Sequence, residues 1–127
     1  MSEPRQGRAP QPPVYQAKAE FFRILGHPVR IRTLELLRDG ERTVGDLQNA
    51  LGLDSSGTSQ HLGILRKHGV LESRRDGTSV YYRIKDPRTF QLLEVARQIL
   101  TSQLTESQEL LGQLADTASG DISLSRP

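Results

Sequence analysis

The change of hydrophobic period at Gly69 constrains this chain more than any other feature. Before that glycine apolar residues recur at helical spacing; after it Val70-Leu71-Glu72-Ser73-Arg74-Arg75 and Thr78-Ser79-Val80-Tyr81-Tyr82-Arg83-Ile84 alternate with a period of two around Asp76-Gly77. An Asp-Gly pair between two β-prone runs signals a hairpin, because a two-residue type I′ turn needs positive φ at both central positions. Folding about Asp76-Gly77 pairs Arg75 with Thr78, Ser73 with Val80 and Leu71 with Tyr82. Leu71, Val80, Tyr82 and Ile84 then share the inner face, and Glu72, Arg74, Ser79, Tyr81 and Arg83 point outward, giving a basic outer face and tip.

Upstream, Val14, Ala17, Phe21 and Ile24/Leu25 define a first helix, broken by Gly26-His27-Pro28 before a second run of Val29, Ile31, Leu34 and Leu37. Pro28 suits the first turn, where its missing N–H costs nothing, and Asp39-Gly40 ends the segment. Thr43 with Asp46 reads as the start of a short third helix carrying Val44, Leu47 and Leu51 on one stripe and closed by Gly52. Asp54 caps a fourth, with Thr58, Leu62 and Leu65 as its buried stripe and Gly69 at its end. Beyond Pro87, Leu93, Ala96, Leu100, Leu104, Leu111 and Leu114 step by threes and fours, apart from Ser107, so a last helix or two runs to about Ala118.

The 127 residues suffice for one domain. Residues 1–13 hold four of the seven prolines and one large apolar side chain, Met1, which predicts a disordered arm; residues 119–127 read as a flexible tail, leaving 14–118 as the folded unit. A hydrophobic fraction of 35% provides no run long enough for a membrane span, and no signal-peptide core is evident, so a cytoplasmic protein without a membrane partner is expected. The absence of cysteine excludes a disulfide framework, thiolate metal ligands and a thiol nucleophile. Charge is uneven: residues 54–85 carry six basic and three acidic side chains, residues 86–127 three and six. Such asymmetry suits a polyanion on one face, although an ordinary solvated surface reads the same way.

Two short helices about a glycine turn, followed at once by a basic hairpin, are the parts of a winged helix-turn-helix, a mainly α fold with a β-hairpin wing. The fourth helix would be the recognition helix. Ser55, Ser56, Ser59 and Gln60 lie opposite its apolar stripe, Gln60 being suited to a bidentate contact with adenine and the serines to bases or phosphates. Thr58 and His61 on that helix join the candidate contacts. Arg66, Lys67, Arg74, Arg75 and Arg83 are candidate phosphate ligands, with Arg74 or Arg75 placed to reach a minor groove.

Three segments together resemble the ArsR/SmtB family of bacterial winged-helix repressors: Gly26-His27-Pro28-Val29-Arg30-Ile31-Arg32 with Leu34-Glu35-Leu36-Leu37; Ser59-Gln60-His61-Leu62 with Leu65-Arg66-Lys67-His68-Gly69-Val70-Leu71; and Arg74-Arg75-Asp76-Gly77 with Val80-Tyr81-Tyr82-Arg83-Ile84. The resemblance spans residues 15–100. It implies a homodimer, joined through its first and last helices, that binds an operator in double-stranded DNA and is released or retuned by a signal. Where metal-sensing members carry Cys-x-Cys-Asp-Leu this chain reads Thr43-Val44-Gly45-Asp46-Leu47, and residues 86–127 hold no histidine for the other metal site of the family. Gly57 and Gly63 replace a groove-facing side chain and a common lysine.

Phe21, Phe22, Leu93, Ala96, Leu100 and Leu104 supply more apolar surface than so small a core needs, and are the expected dimer interface. His61 and His68 are seven residues apart on one helix, about 10 Å by helical rise, too far to share a metal. No metal site, cofactor or catalytic constellation is expected, since no phosphate loop, HExxH or GxSxG occurs and Ser59 beside His61 lacks an orienting acid. Two other readings fit the same pattern: a winged helix that binds a partner protein, and a sensor of an unidentified ligand at the dimer interface.

Overall fold

The structure, a computed structural model, describes residues 11–120. Residues 1–10 of the expected arm and 121–127 of the expected tail lie outside them, while Gln11, Pro12 and Pro13 are exposed and irregular. The chain divides into two compact units, residues 1–86 and 87–127.

In the first unit the order is α1 (Val14–Leu25), α2 (Pro28–Leu36), β1 (Arg42–Thr43), α3 (Val44–Leu51), α4 (Ser55–Lys67), β2 (Leu71–Asp76) and β3 (Ser79–Ile84). Three of the helices begin where a side chain can satisfy a free backbone N–H. His27 Nδ1 accepts from Val29 N at 3.1 Å ahead of α2, with Pro28 at its first position. Thr43 Oγ1 accepts from Asp46 N at 3.1 Å to start α3, and Asp54 Oδ1 accepts from Gly57 N at 2.6 Å to start α4.

These caps bring the apolar stripes together. Leu34 of α2, Leu47 of α3, and Leu62 and Leu65 of α4 are all at most 1% exposed, joined by Ile24, Leu25, Leu37, Val70 and Leu71. Burial of each such side chain contributes roughly 1.5–3 kcal/mol. In α1 only Ile24 and Leu25 reach this core; Val14, Phe21 and Phe22 are exposed.

The hairpin forms, but in a register shifted from the expected one. Asp76 pairs with Ser79, Arg75 with Val80, Ser73 with Tyr82 and Leu71 with Ile84. Gly77 and Thr78 therefore make the turn, and only Gly77 has positive φ, at 67°, which is the signature of type II′ instead of I′. Each residue moves two places along its partner strand, so the faces survive: Leu71, Tyr82 and Ile84 are buried. A third strand joins them. β1 pairs antiparallel with β3, Arg42 opposite Tyr82 and Thr43 opposite Tyr81, giving the order β1-β3-β2. Arg42 Nε also donates to the Leu36 carbonyl at 2.8 Å, fastening this strand to the end of α2.

Among the described residues the second unit holds one uninterrupted helix, α5 (Arg88–Gly120), of 33 residues. Its apolar positions are largely uncovered within the chain: Leu93 is half-buried, while Ala96, Ile99, Leu100, Leu104, Leu110, Leu111 and Leu114 are exposed.

Candidate nucleic-acid interface

Helix α4 has two faces. Thr58, Leu62 and Leu65 are buried, and Ser55, Ser56, Ser59, Gln60, Arg66 and Lys67 are exposed. Four of the exposed positions are short or amide side chains in the first turns, offering hydroxyl and carboxamide groups outward, and the two cations lie in the last turn. Gly57 is explained by the cap: a Cβ there would stand 2.9 Å from Asp54 Oδ1. At exposed Gly63 a Cβ would meet nothing within 4 Å, so the outward face is smooth backbone there.

Two of the expected contacts lie off this exposed face. Thr58 is fully buried, its hydroxyl donating to the Asp54 carbonyl at 2.9 Å, so it belongs to the core and reaches no nucleic acid. His61 is half-buried and faces inward: its ring lies 4.4 Å from that of His27, and Arg30 Nη1 is 3.3 Å from its Nδ1. Arg30 itself donates through Nε to the Ile24 carbonyl at 2.6 Å. The cluster thus ties the end of α1 and the cap of α2 to the middle of α4.

Burial pushes the His61 imidazole below its ordinary 6.5, and the charges of His27 and Arg30 push the same way. A histidine with a depressed pKa favours its neutral form in the folded state, so its stabilising contribution is complete above pH 6.5 and is lost as pH falls below that value. Thermal melts from pH 8 to pH 5 are expected to show wild-type stability falling in that lower window and His61→Gln falling less. Parallel curves would contradict the assignment.

The wing also departs from expectation. Its outer face is charge-balanced, not basic. Arg74 Nε donates to both oxygens of Glu41 at 3.0 Å, its Nη2 donates to the same carboxylate, and its guanidinium lies 4.5 Å over the Tyr81 ring. Arg83 Nε donates to Glu72 at 2.7 Å. The balancing carboxylate Glu41 arrives beside a strand that sequence periodicity does not reveal. Among the described residues Arg66, Lys67 and Arg75 form no ion pair, so of the candidate phosphate ligands these are the ones whose charge is uncompensated.

The chain matches the family model described as a helix-turn-helix domain over residues 25–74. It is 48% identical over 103 residues to the HTH-type transcriptional regulator Rv0081 of Mycobacterium tuberculosis, covering 80% of this chain and 90% of that protein. The chain belongs to the ArsR/SmtB family of winged helix-turn-helix transcriptional regulators. The crystal structure of Rv0081 superposes with a TM-score of 0.70, covering 76% of this chain and 98% of that one. A biofilm growth-associated repressor of Xylella fastidiosa is 34% identical over 85 residues, 67% of this chain and 75% of the repressor. The homodimeric winged helix-turn-helix domain of Mb0332 from Mycobacterium bovis, a possible ArsR-family regulator, gives a TM-score of 0.67 at 27% identity over 84% of this chain and 93% of that domain. In this ArsR/SmtB chain the segment that would hold thiolates instead caps α3 through Thr43, and among the described residues no group of three or more His, Cys, Asp or Glu side chains could hold a metal ion.

Proposed function

We propose that the protein is a cytoplasmic transcriptional repressor that binds an inverted-repeat operator as a homodimer, residues 14–118 serving DNA binding and dimerisation. The observation that carries this is the outward face of α4, where Ser55, Ser56, Ser59 and Gln60 stand exposed beside the ion-pair-free Arg66 and Lys67 while the opposite face is core. A recognition helix needs that division: polar groups to read base edges and cations to hold phosphates. The family membership, the naming of a relative as a repressor and the homodimeric state of another support the same reading.

The dimer would be joined by apolar surface that each unit leaves uncovered, Phe21 and Phe22 on α1 and Ala96, Leu100 and Leu104 on α5, together with half-buried Leu93. A two-fold pair places two recognition helices in successive major grooves, about 34 Å apart. Regulation would not pass through thiolates, since the chain has no cysteine.

Two substitutions test the interface. Gln60→Ala is expected to cost about 1–3 kcal/mol on the selected operator and little on random-sequence DNA, because a base contact is lost. Arg75→Ala is expected to weaken both equally and to lower the salt slope by about 0.9, because one phosphate contact is lost. Equal losses on both duplexes for Gln60→Ala would show that it does not read sequence.

A further inference from the structure

We propose that Glu41 is a specificity-determining residue that withholds Arg74 from the DNA backbone, so that the wing presents one uncompensated arginine, Arg75, where the sequence offers three. The proposal rests on the DNA-binding reading above and adds to it a residue outside the recognition helix.

The geometry is that of a clamp. Arg74 lies opposite Tyr81 in the β2–β3 ladder, and Thr43 lies opposite Tyr81 on the other side, so the three strands place Arg74, Tyr81 and the segment entering β1 side by side. Glu41 immediately precedes β1 and receives both Nε and Nη2 of Arg74. A two-point guanidinium–carboxylate contact fixes orientation as well as charge. Tyr81 lies against one face of the guanidinium at 4.5 Å, and Asp76 stands 3.8 Å from Nη1. In the same ladder Glu72, paired with Arg83 across the strands, accepts from that guanidinium. Arg75 points to the other face of the ladder, opposite Val80, and forms no ion pair among the described residues.

The consequence follows from how proteins bind polyanions. Phosphate neutralisation supplies nearly all sequence-independent affinity, and each cation engaged releases counterions. An arginine already held by a carboxylate contributes less to that term, because its charge is compensated before the polyanion arrives. Glu41 therefore lowers affinity for DNA at large while leaving the reading face of α4 untouched, which raises the ratio of operator to random binding. It also anchors the hairpin to the strand leading into α3.

The test is a salt titration by fluorescence anisotropy on a labelled random-sequence duplex, using the full chain as wild type, Glu41→Gln, Arg74→Met and the double variant. Circular dichroism and thermal melts confirm folding. Wild type and Arg74→Met are expected to share one slope of log affinity against log salt. Glu41→Gln is expected to steepen it by about 0.9 and bind several-fold tighter, as one further phosphate contact forms. The double variant should return to the wild-type slope, which separates a released Arg74 from the mere loss of one negative charge. An unchanged slope for Glu41→Gln overturns the proposal, as does a slope shallower by about 0.9 for Arg74→Met, which would place Arg74 on phosphate in the wild type. If Glu41→Gln fails to fold, Glu41→Ala takes its place, alone and with Arg74→Met, with the same expected and overturning results. A wild-type chain without salt-dependent binding contradicts the DNA-binding reading itself, an outcome distinct from either of these.

Discussion

Replacing Leu100 and Leu104 together by glutamate is expected to convert the protein into a folded monomer whose operator affinity is about 10²–10⁴-fold lower. The size of the loss is that of a second, linked binding event removed from a bivalent ligand. Both leucines are about three-fifths exposed within the chain, at 63% and 60%, so charge at these positions does not invade the protomer's own core. In a self-complementary seam each glutamate would meet its counterpart or another apolar side chain, and a desolvated, unpaired carboxylate is strongly disfavoured. Sedimentation velocity reads the oligomer and circular dichroism reads the fold. A double variant that stays dimeric and binds normally would place the interface elsewhere.

The second large effect is on stability. Leu62→Ala is expected to lower the unfolding free energy by about 2–5 kcal/mol, a large part of the roughly 5–15 kcal/mol typical of a domain. Leu62 is 1% exposed, on the inward face of α4, and its removal leaves a cavity among helices that meet there. Three residues away Ser59 is exposed, and Ser59→Ala should change stability by no more than about 0.5 kcal/mol while weakening DNA binding. Urea unfolding of the two variants compares the faces of one helix. Similar stability losses would contradict the division of α4 into a core side and an exposed polar side.

The helices were legible because their signals are local and redundant. Thr43 with Asp46, and Asp54 ahead of Thr58, Leu62 and Leu65, mark starts and stripes that the structure reproduces. The faces of the hairpin were legible for the same reason, since a period of two survives a shift of two in pairing. Its register was not: whether the turn centres on Asp76-Gly77 or Gly77-Thr78 depends on which residues take positive φ, and only Gly77 does. The strand β1 is two residues long, too short to show any period, and it owes its existence to pairing with β3.

That hidden strand changed the candidate site more than any other element. Sequence counting gives each wing arginine its full charge, whereas the fold brings Glu41 to Arg74 across a separation of 33 residues. His61 departs from expectation through packing as well. Three residues after Thr58 and four before Leu65, it borders the core stripe of its helix, and the packing of α2 against α4 sets it against His27 and Arg30. Thr58 was legible as core from its spacing with Leu62 and Leu65; a base or phosphate contact through its hydroxyl conflicts with that placement, and the Asp54 carbonyl satisfies the hydroxyl.

In the proposed complex two copies of α4 read two half-sites. This is tested most directly by fluorescence anisotropy of the full chain on a labelled duplex from the region upstream of its own gene, against the same duplex with one half-site scrambled and a random-sequence duplex, across a range of salt. One dimer per intact duplex is expected, with binding that falls steeply with salt and affinity for the intact repeat at least about 10³-fold above random DNA. Equal affinity for all three duplexes at every salt concentration would contradict it.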